Sequence, residues 1–289
     1  MKLSVFSLIL TVFLFWLTTQ IGSSYEEYLS YFLILTIGII HGSNDISLIK
    51  VVKSSGKISR KYIAIYVGLI LVNIVAFLVS PTIALLFFVL VSCYHFGEQH
   101  FHNRMKEINL LSRLLFLSYG SLIFGLLFYF NSNTTAIIIN DLIGYELTEQ
   151  QFLWFLLVGL ISTLILYGIN IKNFKEEFSH FQEVFLILLF ALLFKLAALL
   201  WAFAIYFIVW HSIPSLMDQI KALYGESNKV TFIQYIKSSF VYWLISIFGL
   251  AALYFATTFY QIDFITIFFA FLAAITVPHV IVMYFLNKN

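Results

Sequence analysis

Residues 183–217 read EVFLILLFALLFKLAALLWAFAIYFIVWHSIPSLM. Beyond Glu183 the stretch carries one formal charge, Lys195, and it is too long and too apolar for a soluble core. It is either one long helix or two spans joined near Lys195. The basic residues that follow decide between these. A single crossing puts Lys221, Lys229 and Lys237 on the opposite side from the other basic loops. Two crossings return them to the same side, as the positive-inside rule requires. The first arm, 183–195, is about 20 Å long as a helix, so it is expected to begin earlier, near Phe178.

The rest of the chain is of the same kind. Hydrophobic residues make up 62% of its 289 residues and charged ones 10%, which excludes a soluble globule. Apolar runs lie near 3–21, 27–47, 62–79, 82–101, 110–130, 152–170, 183–195, 197–217, 238–257 and 264–286. The expectation is an all-α, polytopic integral membrane protein of about ten helices, forming a single transmembrane domain over 1–289. The run after Lys2 reads as a retained helix, because Thr18 to Ser24 gives no small-residue cleavage site.

The charges orient this map. With the N-terminus inside, the inner loops hold Lys50, Lys53, Lys57, Arg60 and Lys61, then Arg104, Lys106 and Arg113, then Lys172 and Lys175. Lys221, Lys229, Lys237 and finally Lys288 follow on the same side. The outer loops hold Glu26, Glu27, Asp141, Glu146, Glu149 and Asp263, with Lys195 the one basic exception. Both termini are then cytoplasmic, in a multi-pass protein of the cell inner (plasma) membrane. Membrane lipids are its surroundings, and no basic patch interleaved with aromatics supports a nucleic-acid partner. The single cysteine, Cys93, excludes an intrachain disulfide. Aromatics reach 19%. They serve either as lipid-facing and packing side chains or as the lining of a path for an apolar ligand.

Against this background four histidines stand out. His41, His95, His211 and His279 each lie near the end of an apolar run, nine or ten residues before Lys50, Arg104, Lys221 and Lys288. In a helix that is about 14 Å from each basic flank, so the four imidazoles share one depth. A histidine in hydrocarbon has a polar partner or a function. In His41-Gly42-Ser43-Asn44-Asp45 the carboxylate is at i+4, placed to take a hydrogen bond from one nitrogen of His41 and leave the other for a metal. The alternative is a His–Asp pair that joins two helices. Gly42 removes a side chain beside the ligand.

In Tyr94-His95-Phe96-Gly97-Glu98-Gln99-His100, Glu98 is at i+3 and placed to orient His95. His100 and His102 fall near the membrane interface, where histidine costs little, with His100 a further candidate for the site. Pro214 disturbs the turn that contains His211, and Pro278 directly precedes His279. Irregular backbone at this depth is tolerated where it is buried in protein or lines a cavity. His180, beside Glu176 and Glu177, reads as a solvated loop residue. Imidazoles without thiolates suit iron or zinc, and spacing does not choose between them.

HGSND at 41–45, YHFGEQ at 94–99, WHS at 210–212 and PH at 278–279 resemble, in this order, the bacteriorhodopsin-related (Brp/Blh) family of β-carotene 15,15′-dioxygenases. The likeness runs from about residue 38 to 285. It implies non-haem Fe(2+) held by histidines, a carotenoid substrate drawn from the lipid phase, and O2. The implied reaction is central cleavage of β-carotene into two molecules of retinal. By position His41, His95 and His211 match the family's ligand histidines.

The chain departs from the pattern at three places. Ser215 stands where the family commonly has a second histidine, Pro214 replaces an arginine, and His100 replaces an acidic residue. Three outcomes follow: His279 completes the set, three histidines suffice, or the activity has changed. Two other readings use the same histidines. One is a b-type haem protein with two axial ligands; the other is a membrane transporter with the polar layer as its path.

Overall fold

The computed structural model describes residues 3–52, 60–257 and 264–288. Lys2, Lys53, Lys57 and Asp263, charges on which the orientation was read, lie outside the described residues. The first helices are α1 (Leu3–Thr18), α2 (Ser23–Leu33), α3 (Ile39–Gly42), α4 (Asp45–Val52), α5 (Arg60–Val79), α6 (Pro81–Phe101) and α7 (Leu110–Phe130). They continue as α8 (Ser132–Ile143), α9 (Glu149–Asn170), α10 (His180–Leu196), α11 (Leu199–Tyr206), α12 (Ile213–Tyr224), α13 (Lys229–Thr257) and α14 (Phe264–Lys288). Two π-helical segments interrupt the series, Ile34–Gly38 between α2 and α3 and Phe207–Ser212 between α11 and α12. The protein is all-α, and the described residues contain no strand beyond one isolated bridge, Met105 with Phe174.

Each of the ten apolar runs is helical, and eight helical stretches among the described residues are long and apolar enough to cross a membrane. α1 and α10, with 16 and 17 residues, rise only about 24–26 Å, short of a hydrocarbon core of about 30 Å. The connection between the runs at 110–130 and 152–170, which holds the outer charges Asp141, Glu146 and Glu149, contains α8. The expected split near Lys195 is present: α10 ends at Leu196, and Ala197 and Ala198 are extended. The N–H of Ala198 donates to Glu26 Oε2 at 2.9 Å. Glu26, placed in an outer loop by the charge map, is thus a buried residue of α2 that caps the start of α11.

The chain forms two compact units. The first comprises 1–34, 92–137 and 146–214; the second comprises 35–91, 138–145 and 215–289. In the first, α7 packs chiefly on α9, α11 on α2, and α10 on α7. α1 turns Ser7, Thr11 and Thr18 inward and leaves Ile9, Phe13 and Trp16 exposed. The inward polar groups bind the helix that carries His211. Trp210 Nε1 donates to Thr11 Oγ1 at 2.8 Å, Trp201 Nε1 to Thr18 Oγ1 at 2.9 Å, and Ser7 Oγ to the Val209 carbonyl at 3.3 Å. This inversion suits a lipid surround, where packing and hydrogen bonds rather than the hydrophobic effect join helices. In the second unit α14 packs on α5, α4 and α13, and α13 also on α3.

Glycines let α6, α7 and α9 approach closely. A Cβ on Gly97 would lie 1.9 Å from the Phe116 carbonyl oxygen, and one on Gly120 would lie 1.8 Å from that of Cys93. Cβ atoms on Gly125 and Gly159 would both come within 2.8 Å of backbone across the α7–α9 crossing. Gly120→Ala is therefore expected to destabilise the protein by about 1–3 kcal/mol or more, because backbone cannot yield as a side chain does. Gly168→Ala, with nothing within 4 Å of the new atom, is the control. Thermal unfolding in detergent compares the two, and equal stability would refute the close-crossing argument.

Candidate metal centre

In the second unit His41 lies on α3, one turn after the π-helical segment 34–38. Its Nδ1 meets the carbonyl oxygen of Gly38. A carbonyl only accepts, so Nδ1 carries the proton and Nε2 keeps the lone pair a metal requires. The π segment is secured from outside, since Trp243 Nε1 donates to the Leu35 carbonyl at 2.6 Å. His279 lies on α14 behind Pro278, whose missing N–H loosens the ladder at that turn. Its ring centroid is 4.9 Å from that of His41, with the planes at 86°. Both imidazoles are buried.

Asp45 does not serve His41, as the i+4 spacing led one to expect. Its Oδ1 accepts from His279 Nδ1 at 2.9 Å, and its Oδ2 accepts from the Tyr66 hydroxyl at 2.8 Å. The reason is local: α3 ends at Gly42 and α4 begins at Asp45, so one helical face does not run through the motif. Asn44, at this corner, donates to the Tyr235 carbonyl at 3.1 Å and to Ser238 Oγ at 2.8 Å, fixing the corner to α13. Gly42 faces His279, and an added Cβ would sit 3.6 Å from Nδ1, an ordinary contact. Glycine is therefore not sterically demanded there.

Ser215 is fully buried and accepts from Gln219 Nε2 at 3.0 Å. The Tyr235 hydroxyl in turn lies 2.7 Å from Gln219 Oε1 and 2.9 Å from the carbonyl of His41. Ser215 thus belongs to a hydrogen-bonded chain that ends on the backbone of His41. Nothing in the local sequence marked Gln219 or Tyr235 for this.

In the first unit His95 on α6 and His211 on the second π segment are both buried, with ring centroids 4.8 Å apart and planes at 74°. The π geometry follows from Pro214. An α-helical register would need its N–H for the Trp210 carbonyl, and it has none. The chain shifts by one residue, and the N–H of Ile213 bonds to the Ile208 carbonyl. π-bulges of this kind are frequent at functional sites. Phe207 stacks on His211 at 5.5 Å and 15°, and Phe96 meets it edge-on at 4.4 Å. Glu98 is buried and accepts from the Tyr94 hydroxyl at 3.1 Å.

His100, expected near the membrane interface, is buried within the protein. Its Nε2 lies 2.9 Å from Glu183 Oε2; Arg104 Nη1 lies 3.1 Å from His100 and 3.4 Å from Glu183, and Tyr119 donates to Glu183 Oε1 at 2.6 Å. His100 stacks on Tyr119 with centroids 4.7 Å apart. The cluster ties α6, α7 and α10 together and has its own partners, which separates it in role from the His95–His211 pair. Glu183 is 83 residues from His100, so only a lone acid heading an apolar run could have signalled it. His102 is half-buried on a short 3-10 turn. His180 opens α10, exposed, with Nδ1 2.6 Å from the Tyr167 hydroxyl.

The donors fit a metal site. They are imidazoles without thiolate, and in the second unit each Nδ1 is engaged so that Nε2 is the lone-pair donor, one through a carboxylate in the usual manner of metal-bound histidine. No curated protein matches this chain, and no solved structure does. A family model described as beta-carotene 15,15'-dioxygenase matches residues 32–287, which include every histidine and carboxylate of both pairs. With that match over most of its length, the chain belongs to the β-carotene 15,15′-dioxygenase family.

Proposed function

We propose that this multi-pass membrane protein is a non-haem iron dioxygenase of the cell inner membrane, cleaving β-carotene at its central double bond into two molecules of retinal. The family match supports the reaction class. The observation that carries the metal assignment is the hydrogen bonding of His41 and His279, each with Nδ1 held by an acceptor. We assign His41, His95, His211 and His279 as the ligands. Bound Fe(II) would supply the electrons and open positions that O2 needs to react with an alkene.

The chain's own residues do the rest. The Gly38 carbonyl and Asp45 hold two imidazoles in one tautomer and orientation. Phe96 and Phe207 pack against His211 and keep water away, as suits a polyene taken from lipid. One C=C and one O2 become two C=O groups with no hydrogen lost, so no side chain need move a proton. Glu98 orients His95. Ser215, held by Gln219, is not a ligand, and His279 takes that role.

Expression in a β-carotene-producing bacterium with iron supplied should bleach the orange colour and yield retinal. Unchanged carotene with well-folded protein would sink the assignment. A strong Soret band in the purified protein would point instead to haem. His279→Ala is expected to lower activity and iron content more than about 100-fold, beyond the usual effect of losing a residue that only orients a ligand. Ser215→Ala should keep its iron and stay within about threefold of the parent, since it loses one hydrogen bond of about 1 kcal/mol or less. Iron loss in Ser215→Ala with retention in His279→Ala would reverse the two roles.

A further inference from the structure

We propose that Tyr66 is a positioning residue that sets the metal affinity of His279 through Asp45, an inference that rests on the metal assignment above. Asp45 is about as buried as a carboxylate can be, at 1% exposure. Its two oxygens are shared between two donors: Oδ1 takes His279 Nδ1 at 2.9 Å and Oδ2 takes the Tyr66 hydroxyl at 2.8 Å. A buried carboxylate is costly unless its lone pairs are filled. Tyr66 fills the side that His279 cannot.

The arrangement is built by packing. α5 has no fully buried residue, and Tyr66 is half-buried on the face that meets α4 and α14. There its ring packs with Leu48, Val282 and Met283. Leu48 is three residues beyond Asp45 on α4, and Val282 and Met283 are three and four beyond His279 on α14. The same apolar contact therefore seats the phenol and the two helices that carry its targets. A fixed phenol stops the carboxylate from turning, and a fixed carboxylate holds the imidazole plane and keeps the proton on Nδ1. Tyr66→Phe removes one oxygen and leaves that packing. Oδ2 then loses its donor, Asp45 can rotate, and His279 is no longer held in the ligating orientation.

The test uses purified full-length protein, stripped of metal and titrated with Co(II), read by visible absorption and repeated with Fe(II). Tyr66→Phe is expected to raise the Co(II) dissociation constant about tenfold, the lower end of the usual effect for groups that orient a ligand, and to alter the Co(II) bands. Asp45→Asn should weaken binding at least as much, and adding Tyr66→Phe to it should cost nothing further. An unchanged dissociation constant and spectrum in Tyr66→Phe, or additive losses in the double variant, would overturn the proposal. If Tyr66→Phe does not fold, Asp45→Asn tests the same link, and unaltered Co(II) binding there is equally fatal. Parent protein that binds neither Co(II) nor Fe(II) defeats the metal assignment itself. Parent binding with Tyr66→Phe unaffected defeats only the role of Tyr66.

Discussion

A backbone amide in hydrocarbon has no water to bond, so every departure from the α-helical ladder must be settled by a protein group. Three departures among the described residues are each answered by a side chain from another helix. At the π segment 34–38, Trp243 takes the Leu35 carbonyl. At the break after α10, Glu26 takes the Ala198 N–H. At the π segment 207–212, Ser7 takes the Val209 carbonyl. That last carbonyl is the one whose π-register partner would be Pro214, which has no N–H to give. One of these three contains His211 and another lies one turn before His41. Irregularity and function coincide because a shifted ladder re-aims a side chain, and the cost is tolerated where neighbours can absorb it.

The same constraint governs the side chains. α1 reverses the pattern of a soluble helix, with hydroxyls inward and large apolar groups outward. Imidazoles follow the same rule at higher cost: His41 and His279 pair, each with an acceptor on Nδ1. The His100–Glu183–Arg104–Tyr119 cluster shows what happens where charge is buried without a metal: three donors converge on one carboxylate. Removing one member of such a cluster is expensive because the others stay buried. It therefore acts as a fastener for the helix that carries His95.

Much of this was legible in the sequence. Apolar runs give the helices, since hydrophobicity over twenty residues is a strong signal. The basic loops gave the break near Lys195, because charge placement reports crossings that composition alone merges. The four histidines and Asp45 could be picked by their expense in an apolar setting. Pairing was less accessible. His95 with His211, Asp45 with Tyr66 and Ser215 with Gln219 and Tyr235 depend on which helices pack, and a single sequence carries no record of that. α1 ends at Thr18, short of the run that reaches 21, because an apolar run does not mark where its helix unwinds.

The HGSND stretch shows most clearly why spacing misled. An i+4 argument assumes a continuous helix, and here the helix turns a corner between Gly42 and Asp45. The corner is held by Asn44, whose amide reaches both the Tyr235 carbonyl and Ser238. Because of it, His41 draws its acceptor from its own preceding turn, the Gly38 carbonyl, and Asp45 is released to serve His279. Two imidazoles are oriented where one continuous helix would have oriented one. Ser215 has a physical setting of its own, its side chain being taken up by Gln219. Meanwhile the carboxylate four residues beyond the start of HGSND holds His279 through its Nδ1. The corner is what lets Asp45 reach the histidine of α14 rather than the one in its own motif.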